Sequence, residues 1–194
     1  MFALLLGAED AGTYDAKREF AAKFDEKSLE VIRNAKSIEL IRLQNDASDE
    51  QRTALRDGGS ETIDEYVVSR RFVITDPHFV ARFKKLTLNP ASYRWYGGAK
   101  WCGGFQPKVV LRFGEDALHS VDVFLCFNCD DIAVRGYGKA SIGDVSAENI
   151  YANMETEEWL RLVQSALPND EFIQKQLMHG ERRKPPPANA YEYE

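Results

Sequence analysis

The pattern of apolar and polar positions is most distinctive between His119 and Val134, in the stretch HSVDVFLCFNCDDIAV. An apolar run leads into a Cys-x-x-Cys, and Asn128, Asp130 and Asp131 supply turn chemistry at once. This pattern predicts two strands of an antiparallel hairpin, with Cys126 and Cys129 near the bend. Lys108 to Gly114 (KVVLRFG) reads as the strand before it. Tyr66 to Thr75 (YVVSRRFVIT) is rich in β-branched and aromatic residues and reads as another. Ser37 to Leu43 (SIELIRL) alternates with one irregular step, as a half-buried strand does.

Helical spacing fills much of the rest. Tyr14 to Ala35 carries Phe20, Phe24, Val31 and Ile32 on one face, and Asp25 with Ser28 offers a cap for a second segment inside it. Asn45 to Ser60 is polar and reads as a loop with a short helical turn around Glu50 to Leu55. Asp76-Pro77 opens a helix to about Leu86 that buries Phe79, Phe83 and Leu86. Ser141 to Asn153 reads as a connector. Thr156 to Leu167 is amphipathic, with Trp159, Leu160, Val163 and Leu167 inward, and a last helix runs from Asp170 to about His179. Glu181 to Glu194, with three consecutive prolines, reads as a disordered or extended polar tail.

These elements predict an α+β fold. The expected sheet is antiparallel, of about five strands, with helices packed on one face and a C-terminal helical extension. Residues 1–140 form the core domain in this reading, 141–180 the extension packed on it, and 181–194 the tail.

Composition narrows the function classes. The 194 residues hold 25 basic and 31 acidic side chains, a net charge of -6. An acidic field argues against nonspecific binding to nucleic acid or to anionic membranes. The partner expected is therefore a protein or a small molecule. No stretch approaches the ~20 apolar residues of a membrane helix. Phe2 to Leu6 (FALLL) is apolar but short, either a buried first segment or the remnant of a trimmed signal, so the compartment is cytoplasmic or exported.

The candidate chemistry lies in three cysteines, Cys102, Cys126 and Cys129. Residues three apart in a strand face opposite ways, so Cys126 and Cys129 meet only across a bend. One outcome is a zinc knuckle with Cys102 as third ligand, although a closed structural zinc site has four protein ligands. A second is a disulfide. A thioredoxin-type redox pair is disfavoured, because a strand follows where a helix N-terminus is needed and Asp130 and Asp131 oppose a thiolate. The third is a set of small buried residues, common for unpaired cysteine. Zinc is accordingly the one cofactor weighed, and no catalytic residue is assigned. His78, His119 and His179 are scattered, and no nucleophile elbow, zinc-protease or phosphate-loop motif is present. Tyr93, Trp95, Tyr96 and Trp101, interleaved with glycines, are the candidates for a binding surface, or else they close one end of the core.

The segment from Lys108 to Val134 resembles a group of small bacterial lipoprotein-like proteins. They share an upstream Cys in a Pro-containing loop, a strand, and an apolar strand ending in Cys-Phe-x-Cys. Here those are Cys102 with Pro107, Val109 to Phe113, and Cys126-Phe127-Asn128-Cys129. The likeness extends over about residues 37–137. Such proteins often carry Pro-Arg-His near the first Cys, whereas this chain has Gln106-Pro107-Lys108 and lacks the His. The resemblance implies a fold and no activity. The function expected is a non-enzymatic binding or interaction protein with a structural cysteine group. The alternative is a thiol- or metal-dependent enzyme using Cys102, Cys126 and Cys129.

Overall fold

Two neighbouring segments, VVLRFG and SVDVFLC, are buried on both of their faces, as strands inside a sheet covered on both sides are. The computed structural model describes residues 16–21, 24–44, 49–94, 105–114, 119–138, 150–154 and 157–177. Its strands are β1 (Ile38–Leu43), β2 (Thr62–Ile63), β3 (Tyr66–Ile74), β4 (Tyr93–Arg94), β5 (Val109–Gly114), β6 (Ser120–Cys126), β7 (Asp131–Arg135) and β8 (Ile150–Met154). They form one sheet in the order β2-β3-β1-β5-β6-β7-β8-β4, and every neighbouring pair is antiparallel. The two strands buried on both faces, β5 and β6, lie at its centre.

The fold is therefore α+β around an antiparallel sheet, and the sheet is larger than the five strands expected. Six strands have five residues or more, and two-residue strands, β2 and β4, add to its outer positions. Strands this short leave no periodicity to read. The other addition, β8, falls at the end of the segment read as a connector, and it pairs with β7 from Asp131↔Asn153 to Val134↔Ile150. The Met154 N–H also donates to the Asp130 carbonyl at 2.6 Å. Part of the expected C-terminal extension is thus a strand of the sheet itself.

The helical elements are α1 (residues 16–21), α2 (Glu26–Asn34), α3 (Asp49–Asp57), α4 (Pro77–Leu88), α5 (Glu158–Ala166) and α6 (Glu171–Gln174). The helical stretch read over Tyr14 to Ala35 divides at the cap that Asp25 and Ser28 offered, where the Asp25 carboxylate caps α2 by accepting from the Ser28 N–H at 2.7 Å. Ser28 in turn accepts from the Tyr137 N–H at 2.9 Å, which fastens α2 to the chain just beyond β7. Asp76 caps α4, with Pro77 in its first turn. The segment read as a loop with a short turn forms the whole of α3. Asp170 caps α6 through the Ile173 N–H at 3.1 Å, and α6 ends at Gln174, short of the His179 expected. Residues 1–15, 95–104 and 178–194 lie outside the described residues, and with them Phe2 to Leu6, the aromatics Trp95, Tyr96 and Trp101, Cys102 and the polar tail.

Alternation along the strands divides the interior into two clusters. Leu40, Leu111, Val123, Leu125 and Ile132 point to one side, where they share a core with Ile32 of α2, Phe83 of α4, Trp159 of α5 and Ile173 of α6. Tyr93 belongs to this core as well. It is 2% exposed, its hydroxyl donates to the Thr87 carbonyl at 2.7 Å, and its ring lies 5.6 Å from Phe20, 5.8 Å from Phe24 and 6.3 Å from Trp159. Ile41, Leu43, Tyr66, Val110, Phe124 and Ala133 point to the other side.

That second side is concave. Tyr66 on β3 and Phe124 on β6 are three ladder steps apart, about 14 Å in a flat sheet. Their ring centroids are 6.3 Å apart. Asp64, in the turn before β3, lies 3.5 Å from Arg135 on β7, a further step away. The sheet must curl for these contacts to form. Among the described residues, no helix is long and apolar enough to cross a membrane.

Gly114 is the conformational pivot between β5 and β6. Its φ is +122°, and a Cβ there would lie 2.4 Å from the His119 carbonyl oxygen and 2.8 Å from the Ser120 Cα. Both neighbours are backbone and cannot swing away. Gly114→Ala should therefore cost about 1–3 kcal/mol, read as a lower urea midpoint at unchanged slope. An unchanged midpoint would show that the β5–β6 connection relaxes freely.

Candidate functional site: a buried charge row and the cysteine turn

Each central strand carries a charged residue in an apolar setting: Glu39 in β1, Arg112 in β5, Asp122 in β6 and Arg135 in β7. Strand register sets them side by side, since Glu39 opposes Arg112, Arg112 opposes Asp122, and Asp122 opposes Arg135. Directly opposed residues on one face have Cβ atoms about 4.5–5.5 Å apart. The result is a row of alternating sign across four strands on the concave face.

Asp122 is its centre and is fully buried. The Arg112 guanidinium donates Nε to Oδ1 and Nη2 to Oδ2, both at 2.9 Å. Arg135 Nη2 also donates to Oδ2, and the Ser120 hydroxyl lies 3.3 Å from Oδ1. Such forked, charge-assisted bonds are the strong class of hydrogen bond. At one end Arg71 donates to Glu39 at 2.6 Å and also grips Glu61. At the other end the Asp64 carboxylate faces Arg135, and neither of its oxygens has a hydrogen-bond partner. Asp64 holds a left-handed backbone, φ +53°, to reach this place.

The network grades from dry to wet. Side-chain exposure is 0% for Asp122, 8% for Arg112, 28% for Arg71 and 57% for Glu61. The inner four groups, Arg112, Arg135, Asp122 and Asp64, sum to zero charge, which is what burial of ions demands. The hydrogen bonds to Asp122 raise the affinity of Arg112 for its proton, against the opposing effect of burial. The Arg71 guanidinium beside Glu61 holds that carboxyl below its usual range.

The cysteine turn lies at the far end of β6. That strand ends at Cys126, residues 127–130 turn, and β7 begins at Asp131. The Cys129 N–H donates to the Cys126 carbonyl at 3.4 Å, and Asp130 takes φ +53°. Cys129 is disulfide-bonded. Cys126 is a free thiol, 0% exposed. Burial pushes its pKa above the ordinary 9.0, while backbone N–H groups of Gln106, Cys129 and Asn128 directed at the sulfur act in the other sense.

Of the other candidates, Tyr93 sits in the core rather than on a surface, because its ring completes the aromatic packing around Trp159. Trp95, Tyr96, Trp101 and Cys102 lie outside the described residues. Among the described residues, no group of three or more His, Cys, Asp or Glu side chains is arranged to hold a metal ion. The charge row escaped the sequence reading. Its signal was a charge of alternating sign on the same face of each of four largely apolar strands, which becomes a pattern only once their order and register are known. No protein-family model matches the chain, and neither does any curated protein or solved structure.

Two consequences are measurable. Asp122→Ala strands two buried guanidinium groups and should cost about 3–5 kcal/mol, whereas Glu157→Ala, which breaks the exposed Arg161–Glu157 pair of α5, should cost at most about 0.5 kcal/mol. Urea midpoints compare them, and equal losses would refute the central role of Asp122. For Cys126, a raised pKa in the folded state means that the neutral thiol contributes stability below the ordinary value of 9.0. That contribution is lost as pH rises beyond it. Cys126→Ala should flatten this part of the alkaline decline, and a decline as steep as the wild type's would place its origin elsewhere.

Proposed function

We propose that this chain is a binding or interaction protein without enzymatic activity, and that its cysteine group serves structure. The observation that carries this reading is the state of the thiols. Cys129 is held in a disulfide, and Cys126 is buried and kept protonated by its surroundings. A nucleophilic or redox cysteine needs an accessible thiolate, and these two are in the opposite condition. The inner charge row supports the same reading, because each of its cations faces an anion of the row.

Trp95, Tyr96 and Trp101 are the residues we assign to partner contact, the partner being a protein or a small molecule. Aromatic side chains of this kind bring large contact area at small entropic cost. A disulfide also favours an oxidising compartment over the cytoplasm.

The test combines mass and activity. Intact mass without reductant should be lower by two hydrogens than with it, and one thiol should be alkylated only on unfolding. Purified protein should show no hydrolase or disulfide-reductase turnover against general substrates. Turnover that disappears with Cys126→Ser, while the fold persists, would establish the thiol-dependent enzyme instead.

A further inference from the structure

The outer edge of β3 is covered at one end only. There β2 pairs with Tyr66 and Val67, and the Val68 N–H donates to the Glu61 carbonyl at 2.8 Å. From Ser69 to Ile74 no described strand lies outside β3. We propose that this stretch takes up, as an added antiparallel strand, an extended segment of another protein that carries an acidic residue opposite Arg70.

The backbone is turned for such a partner. The Leu43 N–H donates to the Lys108 carbonyl on the β5 side at 3.0 Å, and the next N–H, of Gln44, donates to the Val67 carbonyl of β3 at 2.9 Å. Backbone groups alternate sides along a strand, so Arg42 and Leu40 turn theirs toward β3. The residues directly opposite, Arg70 and Phe72, return those bonds. The N–H and C=O groups of Arg71 and Val73 therefore point outward. An unpaired row of this kind is a template for a further strand.

The side chains state what that strand should carry. Val73 is 67% exposed, the most exposed large apolar side chain among the described residues. Arg70 is exposed too, and Arg42 stands directly opposite it on β1. Like charges so placed repel. Arg42 reaches Asp170 at 3.7 Å, whereas Arg70 forms no ion pair among the described residues. An acidic residue on the added strand, on the same face, would meet Arg70 and offset this local excess of positive charge. A second copy of the chain supplies no such group, because its own edge from Ser69 to Ile74 (SRRFVI) holds two arginines and no carboxylate.

The inference deepens the reading of the chain as an interaction protein, and it fails separately from that reading. Cys126-dependent turnover defeats the function proposed above, while strand addition at β3 decides this one.

The probe is the peptide Thr-Val-Tyr-Thr-Glu-Thr, blocked at both ends and titrated into the isotopically labelled full chain under amide NMR. In antiparallel register its glutamate faces Arg70 and its valine faces Val73. Saturable shifts should centre on the Arg71 and Val73 N–H groups, and their hydrogen exchange should slow. Lysine in place of the glutamate should weaken binding by about 2–30-fold, the range for reversing one cross-strand charge pair. Arg70→Glu, at an exposed position, should invert that preference. Val73→Pro removes an outward N–H and leaves the ladder to β1 intact, so it should bind neither peptide. No shift at β3, equal affinity for the two peptides, a preference unchanged by Arg70→Glu, or wild-type binding by Val73→Pro would each overturn the proposal. So would concentration-dependent shifts at Arg71 and Val73 without peptide, which would make a second copy the occupant.

Discussion

Asp122 has no access to water and two guanidinium groups to neutralise it, and the centre of the sheet is built to keep that arrangement. A buried ion pair need not add stability over an apolar substitute, since desolvation offsets much of the attraction. What it constrains is alignment. A one-residue slip of β6 would turn its side chains to the wrong face. A two-residue slip would keep every side chain on its face, and apolar alternation alone does not forbid it. Such a slip would set Asp122 beside Val110 or Gly114 on β5, and beside Ala133 or Tyr137 on the other side, in place of its two arginines. The charge then lies buried without a partner, so the row selects one register among those the apolar pattern allows.

The same row links the curl of the sheet to its edge. Arg135 is shared between Asp122 and Asp64, and Asp64 comes from the turn between β2 and β3. The turn can neutralise Arg135 only by reaching across the concave face, and Tyr66 follows it down onto Phe124. The convex side carries a smaller polar cost, in the Arg42–Asp170 pair and in the buried Trp159 indole N–H, which has no hydrogen-bond partner. There Phe83, Trp159 and Ile32 close over aliphatic strand residues, a packing driven chiefly by apolar burial. The two ends of β6 thus differ in kind. One holds a compensated charge cluster, and the other a turn in which backbone N–H groups surround a thiol.

Much of this was legible in the residues themselves. The hairpin around Cys126 and Cys129, the strand at Val109 to Gly114, and the Asp76-Pro77 helix start were readable because each rests on interactions within a few residues. Asp25 as a cap inside an otherwise continuous helical pattern was readable for the same reason. The strand at Ile150 to Met154 was not, because five residues among polar neighbours become a strand only when β7 offers an edge to pair with. Tyr93 shows the limit on the side of function. Beside Gly-rich sequence it looked like part of a surface, and the contacts that bury it come from Phe20, Phe24 and Trp159, far away in the chain.

By itself, then, the sequence determined the local elements, the fold class and the place of the cysteine bend, since periodicity, caps and turn residues act over one or two turns of chain. Strand order, curl and the pairing of charges were decided only by the tertiary structure. Glu39, Arg112, Asp122 and Arg135 are separated by up to 96 positions and meet through the register of three ladders. No spacing along the chain encodes that meeting. It comes from the need to give each buried ion a partner once the apolar faces have closed.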